Sequence, residues 1–231
     1  MDETIAAIAT AMGEAGIGVV RLSGPEALGI ADQIFQASNG KKLSDRRGFT
    51  VHHGWVVDPK TGTKIDEALA TVMRAPKSYT CEEMVELSCH GGVALVRRVL
   101  DLTLHAGARL AEPGEFTRRA FSNGRLDLAQ AEAVLQLIRA SHDAAQEASL
   151  HQLQGGLSDK IRDLRNRVLQ IQASLEVSVD FPGEGHETMP QANLHQELES
   201  VLSAFEELIA SGQRGVAQFG GFATVICGRP N

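Results

Sequence analysis

The hydrophobic period of this chain changes near residue 116, and that change limits it to an architecture in two parts. Upstream, apolar residues come in short runs broken by Gly, Pro and Asp, the pattern of strands joined by turns with a helix or two between them. Downstream, apolar residues recur at intervals of three and four over long stretches that carry almost no strand signal. A sheet needs helices or a second sheet to cover it, and amphipathic helices need one another. The expected fold is therefore an α+β amino-terminal domain with a mixed or antiparallel sheet, followed by an all-α bundle segment. The expected division is 1–116, 117–214 for the helical part, and a short third piece over 215–231.

In the first part, residues 4–10 and 17–22 read as strands around the glycine-bearing loop 12–16. Pro25 opens a helix that carries Leu28, Ala31 and Phe35 at helical spacing. Residues 49–57 and 65–73 form two strands of a hairpin joined through 58–62, and residues 84–89 form another. Gly91-Gly92 ends that strand and releases a helix to about residue 106, with Leu95, Val99 and Leu102 directed inward.

The second part is more regular. Leu157, Ile161, Leu164, Val168, Ile171, Leu175 and Val179 lie on one helical stripe that Pro182 stops. Leu194, Leu198, Val201, Phe205 and Leu208 form a second stripe. A third helix over 128–153, with Leu128, Ala131, Leu135 and Ile138 on one face, completes an antiparallel arrangement of three. These stripes are expected to form core, although such a set can also be an incomplete bundle finished by residues from elsewhere.

Composition narrows the function. The chain is 43% hydrophobic over 231 residues with a formal net charge of −7, which suits a soluble protein and argues against a surface that binds nucleic acid throughout. The amino terminus is acidic rather than basic, and no apolar run reaches the roughly 20 residues of a membrane span, so a cytoplasmic protein without membrane contact is expected. Cys81, Cys89 and Cys227 lack metal-ligand spacing and read as reduced thiols.

The run 222–227 followed by Gly228-Arg229-Pro230-Asn231 reads as a strand entering a phosphate-binding loop, or as an ordinary surface turn. Such a loop would continue with Gly-Lys-Ser/Thr, whose lysine meets the β- and γ-phosphates and whose hydroxyl meets magnesium. The chain therefore reads as a piece of something longer that does not itself hydrolyse nucleotide.

Four collinear blocks then point one way. They are 2–10 with Gly16 to Pro25; Ala75-Pro76-Lys77-Ser78-Tyr79-Thr80 with Glu82-Glu83 and 86–92; Pro113-Gly114-Glu115-Phe116-Thr117-Arg118-Arg119 leading into 123–133; and Asp180-Phe181-Pro182 with the Gly228 to Asn231 loop. Together they resemble the MnmE/TrmE family of tRNA-modification GTPases along the whole chain. The resemblance implies an amino-terminal domain similar to folate-binding aminomethyltransferase domains, which holds 5-formyl- or 5,10-methylene-tetrahydrofolate and forms a homodimer. It implies a helical domain interrupted by a GTPase domain that uses GTP, Mg2+ and K+, with a MnmG/GidA-type flavoprotein as partner. The implied reaction adds a carboxymethylaminomethyl-type group to the wobble uridine of certain tRNAs. Other functions open to these residues are a stand-alone folate-dependent one-carbon transferase and a structural dimerisation scaffold.

Three positions match the family's folate contacts: Arg21, Glu86 and Arg125. A pterin presents an N–H beside an exocyclic amine, which one carboxylate can accept together, so Glu86 fits that edge; a strand glutamate facing solvent is the alternative. Arg21 can meet a folate carboxylate or carbonyl, or be a strand-end surface arginine. Arg125 stands where many members have lysine, and it can serve the folate or pair with Asp127. Gly228 and Asn231 match the nucleotide loop, with Asn231 also at the family's potassium site. His90 offers acid–base chemistry or a strand-end hydrogen bond, whereas His52 and His53 alternate across a strand and are poorly placed to share a metal. Two departures from the family pattern concern backbone freedom: loop 11–16 lacks the usual paired prolines, and Cys81 stands where glycine is usual.

Overall fold

The computed structural model describes residues 3–180, 191–220, 225 and 227–229. Contacts divide the chain into two units, Met1–Leu126 and Asp127–Asn231. The division falls beyond residue 116 because the helix that follows Gly114 is anchored in the first unit.

The first unit is built on a seven-stranded mixed sheet: β1 (Ile5–Ile8), β2 (Gly18–Ser23), β3 (Phe35–Ala37), β4 (Thr50–Val57), β5 (Lys64–Met73), β6 (Met84–Cys89) and β7 (Arg109–Leu110). Their spatial order is β3-β4-β5-β6-β2-β1-β7, antiparallel except for the β1–β7 pair. Alternate residues face opposite sides of a strand. Val20, Leu22, Ala70, Val72, Val85 and Leu87 are fully buried in one core with α1 (Ala27–Ile34) and α2 (Val93–His105). The other face carries Arg21, Thr71 and Glu86 and stays partly open, with Val51 59% and Leu69 45% exposed. A third helix, α3 (Glu115–Ser122), follows β7.

Two details of this unit differ from the sequence-based expectation. Phe35 leaves the helix: α1 ends at Ile34, and Phe35 is extended (φ −127°, ψ 126°) and pairs with Val56 in the sheet, where its ring is buried. On α2 the buried residues are Val96, Val99 and Thr103, so Leu95 and Leu102 flank the inward line rather than define it. At Gly24 (φ +134°) the chain leaves β2 against Thr4, too close for any Cβ.

The second unit contains α4 (Leu128–Arg139), α5 (Asp143–Leu153), α6 (Gly156–Asp180) and α7 (Gln191–Gly220). The single helix expected over 128–153 is two. Ala140 turns extended, and the His142 side chain accepts the Ala145 N–H at 3.2 Å, capping a new helix. Asp127 and Gln130 form a capping box at the start of α4, and Gln130 and Gln152 each donate to a backbone carbonyl of the facing helix, both at 3.0 Å. Between α6 and α7, among the described residues, Leu164, Ile171, Leu194 and Val201 form a buried cluster. Many other positions of the expected core stripes point outward, with Ile138 75%, Leu128 61%, Leu135 50% and Leu198 46% exposed, whereas Leu208 packs against the cluster. Two helices that meet along one seam cover only a narrow strip of each other, and these stripes are wider than that strip.

Val225, Cys227, Gly228 and Arg229 lie in no helix or strand. The other residues of the expected strand and phosphate loop, Asn231 among them, lie outside the described residues, as does Pro182. No helix of the described residues is long and apolar enough to cross a membrane.

Candidate functional site

Sheet register creates the centre of the site. Arg21 on β2 and Glu86 on β6 are directly opposed across an antiparallel pair, and both lie on the face that α1 and α2 leave open. The Arg21 guanidinium donates from Nε to Glu86 Oε1 at 2.7 Å, and its Nη2 lies 2.6 Å from the same oxygen as an ion pair. Among the described residues Oε2 of Glu86 accepts nothing, so one oxygen of this three-quarters-buried carboxylate keeps its acceptor capacity intact.

Two aromatic rings enclose the arginine. Its Cζ lies 5.5 Å from the centre of the Tyr79 ring and 5.6 Å from that of Phe116, within cation–π range. Arg125, near the end of the first unit, reaches the same tyrosine: its Cζ is 4.7 Å from the ring centre and its Nη1 donates to the Tyr79 carbonyl at 3.2 Å. Arg125 thus rests on Tyr79, while Asp127, the ion-pair partner the sequence offered it, caps α4. Two of the three residues selected from the sequence, Arg21 and Arg125, thus meet one side chain that the sequence did not single out, and Glu86 joins them through Arg21. The available signals were that Tyr79 is the chain's only tyrosine and that it lies in the same block as Glu86.

Beside Tyr79 and Arg125 opens a cavity of about 510 Å³, walled by Phe49, Met73 and Pro76 on its apolar side and by Lys77, Ser78, Cys81 and Asn123 on its polar side. A flat heterocycle carrying an anionic tail matches these walls, since apolar and aromatic surfaces take the ring and cations take the tail. A larger hollow of about 670 Å³ lies along the α6–α7 seam, but there the Arg167 guanidinium is already held by Glu197 at 2.8 Å.

Cys81 sits at the edge of the cavity with φ +60°, a left-handed conformation. An L-residue there costs about 1–2 kcal/mol relative to right-handed backbone, whereas glycine pays no Cβ penalty. Cys81→Gly is therefore expected to stabilise the first unit by about 0.5–1 kcal/mol once glycine's greater unfolded-state entropy is subtracted. A thermal midpoint that fails to rise would show that the left-handed turn is not strained.

Glu115 opens α3 and is 1% exposed. Arg109 donates to both of its oxygens, at 2.7 and 3.1 Å, the Glu112 N–H donates at 2.8 Å, and Arg119 donates to Oε1 at 3.0 Å. The Arg109 hydrogen bonds, more than any other contact, hold this carboxyl down at about 2 against an ordinary 4.5. Because the folded value lies below the unfolded one, the stabilisation is complete above the unfolded value and is lost as pH falls through the folded value. The guanidinium midpoint of the parent chain is expected to fall more steeply between about pH 5 and about pH 2 than that of Glu115→Gln. Parallel slopes would remove Glu115 from the acid transition.

The remaining titratable candidates serve the fold. His90 donates its backbone N–H to Asp66 Oδ2 at 2.8 Å, and its Nδ1 lies 2.7 Å from Asp66 Oδ1, so its strand-end bond is to a carboxylate. His52 pairs with Thr50, whereas His53 lies between Ser38 and Glu67. Burial pushes the Cys89 thiol up to about 11, and its S–H donates to the Gly18 carbonyl. Among the described residues no group of three or more His, Cys, Asp or Glu is placed to hold a metal.

An α+β unit that sets an arginine–carboxylate pair beside aromatic rings, followed by a helical unit, defines the class: an α+β domain joined to a helical one. Residues 4–125 match the family model described as the amino-terminal region of the GTP-binding protein TrmE, and residues 128–223 match that of the MnmE helical domain. The chain belongs to the MnmE/TrmE family. It is 50% identical over 230 residues to a tRNA modification GTPase MnmE of Geobacillus thermodenitrificans, covering 99% of this chain and 50% of that protein. It is 51% identical over 230 residues to one of Symbiobacterium thermophilum and 49% over 231 residues to one of Moorella thermoacetica, again covering 50% of each. The chain thus spans about half the length of these curated relatives.

Proposed function

We propose that this chain is the folate-holding portion of a tRNA-modification GTPase. The observation that carries this reading is the Arg21–Glu86 pair set against Tyr79, with Oε2 of Glu86 open as an acceptor. A pterin's N–H and exocyclic amine would approach that carboxylate. Oε2 takes the first donor, and bidentate pairing brings the second to Oε1 beside the Arg21 Nε–H already there. Arg21 then has N–H groups for a pterin carbonyl, the ring lies along Tyr79, and Arg125 meets the glutamate carboxylate. Tetrahydrofolate in its 5-formyl or 5,10-methylene form, when bound, supplies the one-carbon unit; the residues here bind it, orient it and exclude water.

The relatives' name, tRNA modification GTPase, extends the reading to the whole protein. In it, GTP with Mg2+ and K+ occupies a nucleotide site to which Gly228 and Asn231 contribute. A MnmG/GidA-type flavoprotein joins in adding a carboxymethylaminomethyl-type group to the wobble uridine of certain tRNAs. The first unit, to Leu126, forms the homodimer contact, residues 127–220 belong to the helical domain, the residues after 220 lead into the GTPase domain, and the protein works in the cytoplasm. Calorimetric titration of this chain with 5-formyltetrahydrofolate tests the folate part. Saturable binding near one site per chain is expected, and a folded chain that gives no heat would overturn it.

A further inference from the structure

Tyr79 carries the site, yet it belongs to a short turn between a proline and a strand, a kind of segment that is ordinarily mobile. The residues on either side of it are tied to a buried charge. Ser78 Oγ donates to the Glu82 carbonyl at 2.6 Å, Thr80 Oγ1 lies 2.6 Å from Ser23 Oγ, and the Glu82 N–H donates to Thr80 Oγ1 at 3.3 Å. The Glu82 carboxylate accepts from Ser23 Oγ at 2.7 Å and from Arg119 Nη1 at 3.0 and 3.2 Å. Arg119, 1% exposed, spends its other donors on Glu115 and on the Glu3 carbonyl, so its fork has a single orientation. From the same helix, Thr117 meets the Tyr79 hydroxyl at 2.9 Å, and Phe116 faces Arg21.

We infer that the Arg119–Glu82 pair is the positioning element of this site, fixing the turn 78–82 so that the Tyr79 ring stands between Arg21 and Arg125. A buried ion pair gives little net stability over an apolar replacement, because desolvation of both charges offsets their attraction. What it supplies is direction. With Nε and Nη2 fixed on Glu115, Nη1 is aimed at the Glu82 carboxylate, and the orientation held there sets Thr80 through Ser23. The identity of the ligand rests on the folate reading above; the positioning rests on the geometry alone.

Two readouts on the parent chain, Glu82→Gln, Arg119→Lys and Val99→Ala separate the possibilities. Val99→Ala opens a cavity in the α2 core on the covered face of the sheet and serves as the control for general destabilisation. Hydrogen exchange of the amides of residues 79–82, referred to the β5 amides, is expected to quicken at least about tenfold in Glu82→Gln and to stay at the parent ratio in Val99→Ala. Arg119→Lys, a point charge without the fork, is expected to resemble Glu82→Gln. The dissociation constant for 5-formyltetrahydrofolate should weaken about tenfold in both network variants and remain unchanged in Val99→Ala. An unchanged exchange ratio in Glu82→Gln, or an equal rise in Val99→Ala, overturns the positioning role. So does faster exchange with unaltered folate affinity. If the parent binds no folate while exchange behaves as expected, the folate reading fails and the fixed turn stands.

Discussion

Arg119→Met is expected to lower the stability of the first unit by about 3–5 kcal/mol, the cost of removing one partner from a buried charge network. The side chain is 1% exposed and faces Glu115, also 1% exposed, and Glu82. Its loss leaves the Glu82 carboxylate with Ser23 as remaining donor and strips the Glu3 carbonyl of its partner. Methionine fills the volume, so the penalty is electrostatic rather than a cavity. Adding Glu82→Gln to Arg119→Met should recover part of the loss, because the unpaired charge goes with it. Guanidinium unfolding followed through Trp55, the only tryptophan, measures both. A loss below about 1 kcal/mol would mean that water reaches the network.

Glu86→Gln is expected to weaken 5-formyltetrahydrofolate binding by about 10²–10³-fold while leaving the thermal midpoint within a few degrees. A hydrogen bond to a charged group contributes about 1.5–3 kcal/mol, two such bonds serve the pterin edge, and about 1.4 kcal/mol is a factor of ten. The amide keeps one acceptor and turns a donor toward the ligand's own donors. Stability changes little because the Arg21–Glu86 pair is a quarter exposed on both sides. Arg125→Ala should cost less, about tenfold, since its carboxylate partner would be at the solvent edge. Binding by Glu86→Gln within about threefold of the parent would separate Glu86 from the ligand and leave Tyr79 with Arg125 as the only anchor to consider.

The unevenness of the sequence reading follows from what each residue depends on. The strands over 17–22, 49–57, 65–73 and 84–89 were legible because alternation and turn residues are local properties. Phe35 was misplaced because a helix and a strand abut with no turn residue between them, and only pairing with Val56 decides which owns the ring. The break between α4 and α5 was missed because its signal is a histidine acting as a cap, a use that histidine rarely has. The outward stripes of α4, α6 and α7 carry a correct helical period, but a period says that a face seeks a partner without saying which one covers it.

Arg21, Glu86 and Arg125 were found by resemblance, block by block, and nothing in their spacing announced that they meet. Arg119 and Glu82, 37 residues apart, were quoted among those blocks without a role. A buried arginine is invisible in a sequence because the residue type is ordinarily exposed, and only neighbours distant in the chain can supply carboxylates to hold it. The amino-acid sequence by itself determined the two-part architecture, most of the strands and the family, since these rest on local periodicity and contiguous motifs. The tertiary structure alone decided that Arg21 faces Glu86, that Tyr79 meets two guanidinium groups and that Arg119 bonds to Glu82. Those facts depend on strand register and on contacts across 37 to 116 residues, which no local pattern encodes.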